Sequence, residues 1–471
     1  MNQRNSNPVI CEQKQLRGSK IEDLFVGIAG QPNSALLLSG GSSDSARFSV
    51  VGYDPFCVVR SKDFYTEIIR GGVTEVWQGD PFVHLKTILD QYRVASPAGK
   101  VQVTAAALGY FGYELKNRLE RLPQTARDEL CLPQLYFCFY RLLLIHDRHT
   151  DSWYLSCYTP PQETDDHESR MRAFIAQLST QPAVRTTGNA KRQLVSDFTK
   201  QTYMQAVERV RQYIADGHVY QANISQRFSL PFGGHPYQTF LTMFRLNPAP
   251  FYAFLNAGDF CVLCTSPERF LLQISDYVET RPIKGTCPRG TTPEKDRKLR
   301  QELLASPKDD AELSMIVDLL RNDLSKVCRG GSVKVAQHKR IEGYANVYHL
   351  VSIVEGRLAA GKNRMDLVRA CFPGGSITGC PKIRAMEIID ELEPLARGIY
   401  TGSIGYLSLH DTMDLNIAIR TAVIKKGQLH FNVGGGIVYD SDPEQEYQET
   451  LHKGASILKS LGYSEEALDM G

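Results

Sequence analysis

The chain has 471 residues, 42% of them hydrophobic and 23% charged, with 54 basic side chains against 52 acidic ones. That length fills one large domain or two to three ordinary ones, and it buries enough surface to fold without staples. The near-neutral balance argues against a dedicated nucleic-acid binder, which would carry a basic patch or stripe.

Met1 to Lys20 is polar and lacks the apolar core of a signal peptide. Apolar runs such as Leu142 to Ile145 are far too short to span a bilayer, so no membrane association is expected. Eleven scattered cysteines, an odd number, read as reduced thiols and place the protein in the cytoplasm. Cys261 and Cys264 form a lone C-x-x-C around Val262 and Leu263, which reads as a buried strand rather than a metal or redox motif.

Short strand-like runs come first: Ala35 to Leu38, Phe48 to Val51, Leu135 to Ile145 and Trp153 to Tyr158. A linker is expected at about Ser179 to Ser196, dividing the chain into regions 1–190 and 191–471. Beyond it lie a helical stretch from Lys200 to Asp216 and strands at Phe251 to Leu255, Phe260 to Cys264 and Phe270 to Ile274. Strands and helices do not alternate one for one. The pattern predicts an α+β fold with largely antiparallel sheets.

Two later helices carry carboxylates. The first opens Ser306-Pro307-Lys308-Asp309, a capping-box pattern, and its apolar stripe is Leu313, Ile316, Val317, Leu320 and Leu324. Asp309 and Glu312 project beside that stripe. The second opens Asp442-Pro443, with Tyr447, Leu451, Leu458 and Leu461 as its stripe, and Glu446 and Glu449 repeat the three-residue spacing. Two such helices can clamp a hard cation such as Mg²⁺, with Glu312 and Glu449 as one ligand from each. Spacing alone leaves the alternatives open, namely a helix cap for Asp309 and an ion pair with Lys453 for Glu449.

The run Val433-Gly434-Gly435-Gly436-Ile437 follows a strand-like segment, Leu429 to Phe431, and suits either close approach of an anionic ligand or a bulge. It is neither a P-loop nor a dinucleotide fingerprint. A second glycine-rich loop, Pro373 to Lys382 with Ser376 at its centre, leads into a helix from Lys382 to about Glu391. Arg420 lies in the strand-like run Asn416 to Ala422, where its apolar neighbours call for an anionic partner, either a substrate carboxylate or a structural one. Lys284, Glu268 and His349 are reactive types whose local spacing reveals nothing.

Together these runs resemble the chorismate-utilising enzymes, which include anthranilate synthase component I, isochorismate and salicylate synthases and aminodeoxychorismate synthase component I. The resemblance is close from about Phe198 to Leu461. It implies a sandwich-like sheet core with helices packed outside, and an aromatic amino-acid pocket in region 1–190. It assigns Lys284 and Glu268 as catalytic. It gives Tyr400, Arg420, Gly434, Gly436, Lys453, Ser376 and His349 to chorismate, Glu312 and Glu449 to Mg²⁺, and Asp309 and Glu446 to the water around the metal. Lys284, in Arg281-Pro282-Ile283-Lys284-Gly285-Thr286, is the form of the aminodeoxychorismate synthase branch. Anthranilate and isochorismate synthases usually carry Ala there.

The implied reaction is Mg²⁺-dependent amination of chorismate at C4 to 4-amino-4-deoxychorismate, the precursor of 4-aminobenzoate and folate, in which Lys284 attacks C2. The lysine needs a pKa depressed toward about 7–8. No cysteine sits in a Gly-x-Cys-x-Gly elbow. Ammonia is therefore expected from a separate glutamine amidotransferase subunit in a heterodimer, and an aminodeoxychorismate lyase is expected to take the product. Cys287, Cys380 and Asp309 depart from the usual Arg, Ala and Glu. Leu38 stands where feedback-regulated relatives carry Glu, which puts tryptophan feedback in doubt. The rival readings are anthranilate synthase component I and a non-catalytic binding subunit.

Overall fold

The computed structural model describes residues 7–96, 102–161, 163, 166–178 and 193–463. Of the expected linker from Ser179 to Ser196, residues 179–192 lie outside the described residues. The described strands join in one network of 22, and every pairing between them is antiparallel. This is the α+β architecture that the strand-like runs predict.

The strand Leu135–Asp147 shows why. Phe48–Lys62, Ala106–Phe111 and Ser152–Cys157 all pair with it, and Leu142 to Ile145 are buried on both of its faces. A continuous apolar run is the pattern of such a strand. Strands from the two ends of the chain interleave. Ala35–Leu38 pairs with Phe251–Asn256, and Ala106–Phe111 pairs with Ser403–Ser408. One core cluster, with Val50, Leu108, Tyr110, Leu143, Ala253, Val262, Ile404 and Val423, is built mainly from strands of both ends. The two other clusters pack helices onto strands. Helices Lys200–Ala215, Pro236–Leu246 and Pro443–Ser460 serve one, and Pro81–Gln91, Pro307–Ser325 and Arg364–Cys371 serve the other.

A cavity of about 210 Å³ opens where the two ends meet, lined by Leu38, Ser39, Phe48, Phe251, Tyr406 and Asn416 among others. Cys261 and Cys264 lie in the strand Phe260–Ser266, and all eleven cysteines are free thiols. Among the described residues no helix is long and apolar enough to cross a membrane.

Two local expectations change. The glycines Gly434 to Gly436 do not follow a strand but lie inside one, Gln428–Ile437, opposite Ser225, Ile224 and Asn223. A Cβ at Gly434 would stand 2.4 Å from the Ile224 carbonyl oxygen, and one at Gly436 would stand 2.1 Å from Gln221 Nε2. Close approach of the neighbouring strand therefore requires glycine there, and none of the three has positive φ. The run Asn416 to Ala422 is not one strand either. It breaks between Thr412–Asn416 and Thr421–Lys425, and Arg420 adopts φ +50°.

Candidate active site

The helix Pro307–Ser325 starts where its sequence predicts. Ser306 Oγ accepts from Asp309 N at 3.3 Å, and Leu313, Ile316, Val317, Leu320 and Leu324 are buried. The reciprocal half of the capping box is missing. The Asp309 carboxylate instead lies against Gly285, whose added Cβ would meet Asp309 Oδ1 at 3.0 Å. Asp309 thus borders the strand Ile283–Pro288 that presents Lys284. The helix Pro443–Ser460 is capped by Asp442, whose side chain accepts from Gln445 N at 2.9 Å.

Charge converges on Lys284. Burial lowers the pKa of its ammonium, Glu312 and Glu268 pull it back up, and Lys453 lowers it further. One lysine therefore senses both carboxylate helices and Glu268. Glu268 is buried, and burial raises its pKa to about 7 against the opposing pull of the Ser376 hydroxyl, Lys284 and Arg420. A carboxyl of that pKa is about half protonated near neutrality and can donate.

Arg420 stands on the same side. Its left-handed backbone is held by Thr265, whose N–H and Oγ–H both donate to the Arg420 carbonyl at 3.0 Å. Burial lowers its pKa, while Tyr252, Tyr344 and Glu268 oppose the shift. Among the described residues the guanidinium has no ion-pair partner within salt-bridge distance, which leaves it able to receive an anionic ligand. Tyr400 adjoins this segment, since Thr401 N donates to Ala418 O at 2.8 Å.

His349 is buried, with Nδ1 2.7 Å from Thr286 Oγ1 and Nε2 unpartnered among the described residues. Burial and Arg420 push its pKa down to about 3, so it is neutral across the working range.

The glycine strand meets the second carboxylate helix directly. A Cβ on Gly435 would stand 2.9 Å from Glu446 Oε2 and 3.9 Å from both Glu449 Oε1 and Lys453 Nζ. Lys453 Nζ donates to Gly434 O at 2.8 Å and pairs with Glu449 at 2.6 Å, the ion pair weighed from spacing. Glu446 accepts from Ser441 Oγ at 2.7 Å, and burial raises its pKa. Among the described residues no set of three or more His, Cys, Asp or Glu converges as a metal site. Glu312 and Glu449 still offer hard oxygen donors, both close enough to Lys284 to act on its charge. That donor set suits Mg²⁺, which takes its other positions from water and substrate oxygens.

Gln221 and Asn223, which the sequence reading did not single out, stand beside the glycine strand. Gln221 Nε2 donates to Asn223 Oδ1 at 3.1 Å beside Gly436, and Gln221 Oε1 is buried and unpartnered among the described residues. Only strand register, which is invisible in sequence, brings them there.

The chorismate binding enzyme family matches residues 43–459. Aminodeoxychorismate synthase component 1 of Escherichia coli (strain K12) is 40% identical over 91% of this chain and 93% of its own. Anthranilate synthase component 1 of Pseudomonas putida is 36% identical over 98% and 96%. The solved structure of anthranilate synthase component I from Streptococcus pneumoniae TIGR4 superposes with a TM-score of 0.78 at 30% identity, covering 88% of this chain and 93% of that one. Both the sequence match and the fold lead to one statement: this chain is an enzyme that belongs to the chorismate binding enzyme family.

Proposed function

We propose that this enzyme aminates chorismate at C4, giving 4-amino-4-deoxychorismate. The observation that carries this reading is a depressed lysine, Lys284, facing a carboxyl that can donate, Glu268. A neutral Lys284 amine attacks C2. Both double bonds of the ring diene shift, the C4–O bond breaks, and Glu268 protonates the departing hydroxyl as water. Ammonia then attacks C4, both double bonds shift back, and the C2–N bond breaks to release Lys284. Two displacements replace one difficult substitution.

Arg420, Lys453, Tyr400 and the Gly434 and Gly436 backbones hold the substrate carboxylates, and Ser376 closes the pocket beside Glu268. Neutral His349 offers one ring nitrogen to the ring hydroxyl region. Glu312 and Glu449 would hold Mg²⁺, with Asp309 and Glu446 beside it. When bound, the metal withdraws electron density from the ring through a carboxylate. The ammonia comes from a separate glutamine amidotransferase subunit, in keeping with relatives named as component 1. The cavity beside Leu38 and Ser39 is the expected place for an aromatic amino acid.

Product analysis tests the reading. Purified protein is given chorismate, Mg²⁺ and ammonium, with and without an aminodeoxychorismate lyase. The expected result is 4-aminobenzoate only when the lyase is present. Anthranilate in both tubes would reassign the reaction to C2.

A further inference from the structure

A buried ion pair outside the proposed substrate contacts joins the two halves of the site. Asp323, 1% exposed, lies near the end of the helix Pro307–Ser325 that carries Asp309 and Glu312. Its Oδ2 accepts from Lys382 Nζ at 2.5 Å, and its Oδ1 accepts from Lys326 Nζ at 3.0 Å. Lys382 Nζ also donates to the Cys371 carbonyl at 2.7 Å.

Cys371 ends the helix Arg364–Cys371 and Lys382 begins the helix Lys382–Leu392. The loop that carries Ser376 runs between them. One ammonium therefore ties both feet of the loop together and fastens them to the carboxylate helix. An ammonium in the first turn of a helix opposes the helix dipole, so this placement needs a specific anionic partner. The loop is gripped elsewhere too. A Cβ on Gly375 would meet Leu319 Cδ2 of the same carboxylate helix at 2.6 Å, Asn223 Nδ2 donates to Ser376 O at 3.2 Å, and Arg397 donates to Ile377 O at 3.1 Å.

We infer that the Asp323–Lys382 pair is a positioning strut that sets the Ser376 loop and the Glu312 helix at a fixed separation across the substrate. The lever is long. Eleven residues separate Glu312 from Asp323, roughly 16 Å of helix, so a tilt of about 4° at the strut moves the Glu312 end by about 1 Å. Displacements of that size cost about 100-fold in rate. The inference rests on the site holding chorismate, whichever carbon is aminated.

The test compares wild type with Lys382→Met, Lys382→Arg and Asp323→Asn. Calorimetry gives the chorismate Kd with Mg²⁺ present and ammonia withheld, steady-state chorismate consumption gives KM and kcat, and Tm serves as the control. The expected result is a Kd and KM at least tenfold higher for Lys382→Met, with Lys382→Arg within threefold of wild type. Asp323→Asn should fall between them, and it carries the test if Lys382→Met does not fold. Kd and KM within twofold of wild type in folded Lys382→Met or Asp323→Asn, with only Tm lowered, would reduce the pair to fold stability and overturn the inference. Product identity plays no part in this readout, so a failure of C4 amination would be seen separately.

Discussion

At the scale of single residues, Lys284 is where composition and environment decide the chemistry together. An ordinary lysine has a pKa of about 10.4 and is almost wholly protonated at neutrality. Burial frees a larger share as the nucleophile. Lys284→Ala should lower kcat for C4 amination by orders of magnitude while leaving chorismate KM nearly unchanged. With ammonia withheld, intact-mass measurement of wild type should show a gain of one chorismate less one water, and the variant should show none. Glu268 sets the pH response. Its acid form is present below about pH 7 and is lost as pH rises through that value. The profile of kcat/KM, at fixed free ammonia, should therefore descend near pH 7. Glu268→Gln should erase that limb and lower kcat by about 10²–10⁴-fold. His349, neutral above about pH 3, should contribute no limb at working pH. The identities of these residues are legible in the sequence through the resemblance. Their environments are not, because nothing local to His349 announces that Thr286 faces Nδ1 or that Arg420 lies nearby.

Elements were legible in proportion to how far their signals are local. Ser306 and Asp442 cap their helices as written, because a side chain two or three residues from its target needs no tertiary knowledge. Ser306→Ala should cost about 1 kcal/mol in chemical denaturation. The strand of glycines was half legible. Sequence left approach to an anionic ligand and a bulge open, and the actual cause at Gly434, a neighbouring strand whose Ile224 carbonyl would stand 2.4 Å from an added Cβ, depends on register. Gly434→Ala should force that backbone apart, costing about 1–3 kcal/mol and lowering Tm. Arg420 was read as part of a strand because an unbroken apolar run, Ile417 to Ile419, also fills the irregular stretch between two strands, and only the fold shows φ +50°.

At the scale of the whole molecule, the antiparallel sheet was predictable from strands that do not alternate with helices. Which strand pairs with which was not, since long-range pairing leaves no mark on either partner. One polar cluster spans the junction. Asp44, from the first part of the chain, bonds Arg281 at 2.8 Å and Arg340 at 2.7 Å. Burial would raise the Asp44 pKa, but the two guanidiniums outweigh it and hold the carboxyl well below the usual range. Its folded value lies below its unfolded one, so the stabilisation is present above about pH 4 and fades as pH falls through the folded value. Asp44→Ala should cost about 0.5–1 kcal/mol near pH 7, discounted for a side chain that is half exposed. The difference from wild type should shrink in acid, as measured by denaturation at several pH values.

The interleaving of early and late strands also sets a timetable for synthesis. Ala106–Phe111 is made early, yet Ser403–Ser408, the strand that covers its second edge, leaves the ribosome about 300 residues later. At about 5–20 residues per second, that edge waits roughly 15–60 seconds for its partner. Ala35–Leu38 waits in the same way for Phe251–Asn256. An open edge of that kind pairs readily with other chains. The nascent protein therefore stays exposed to aggregation even after Glu268, Lys284 and Glu312 have been translated, and yield in the cell should respond to elongation speed and chaperone supply more than to any side chain of the active site.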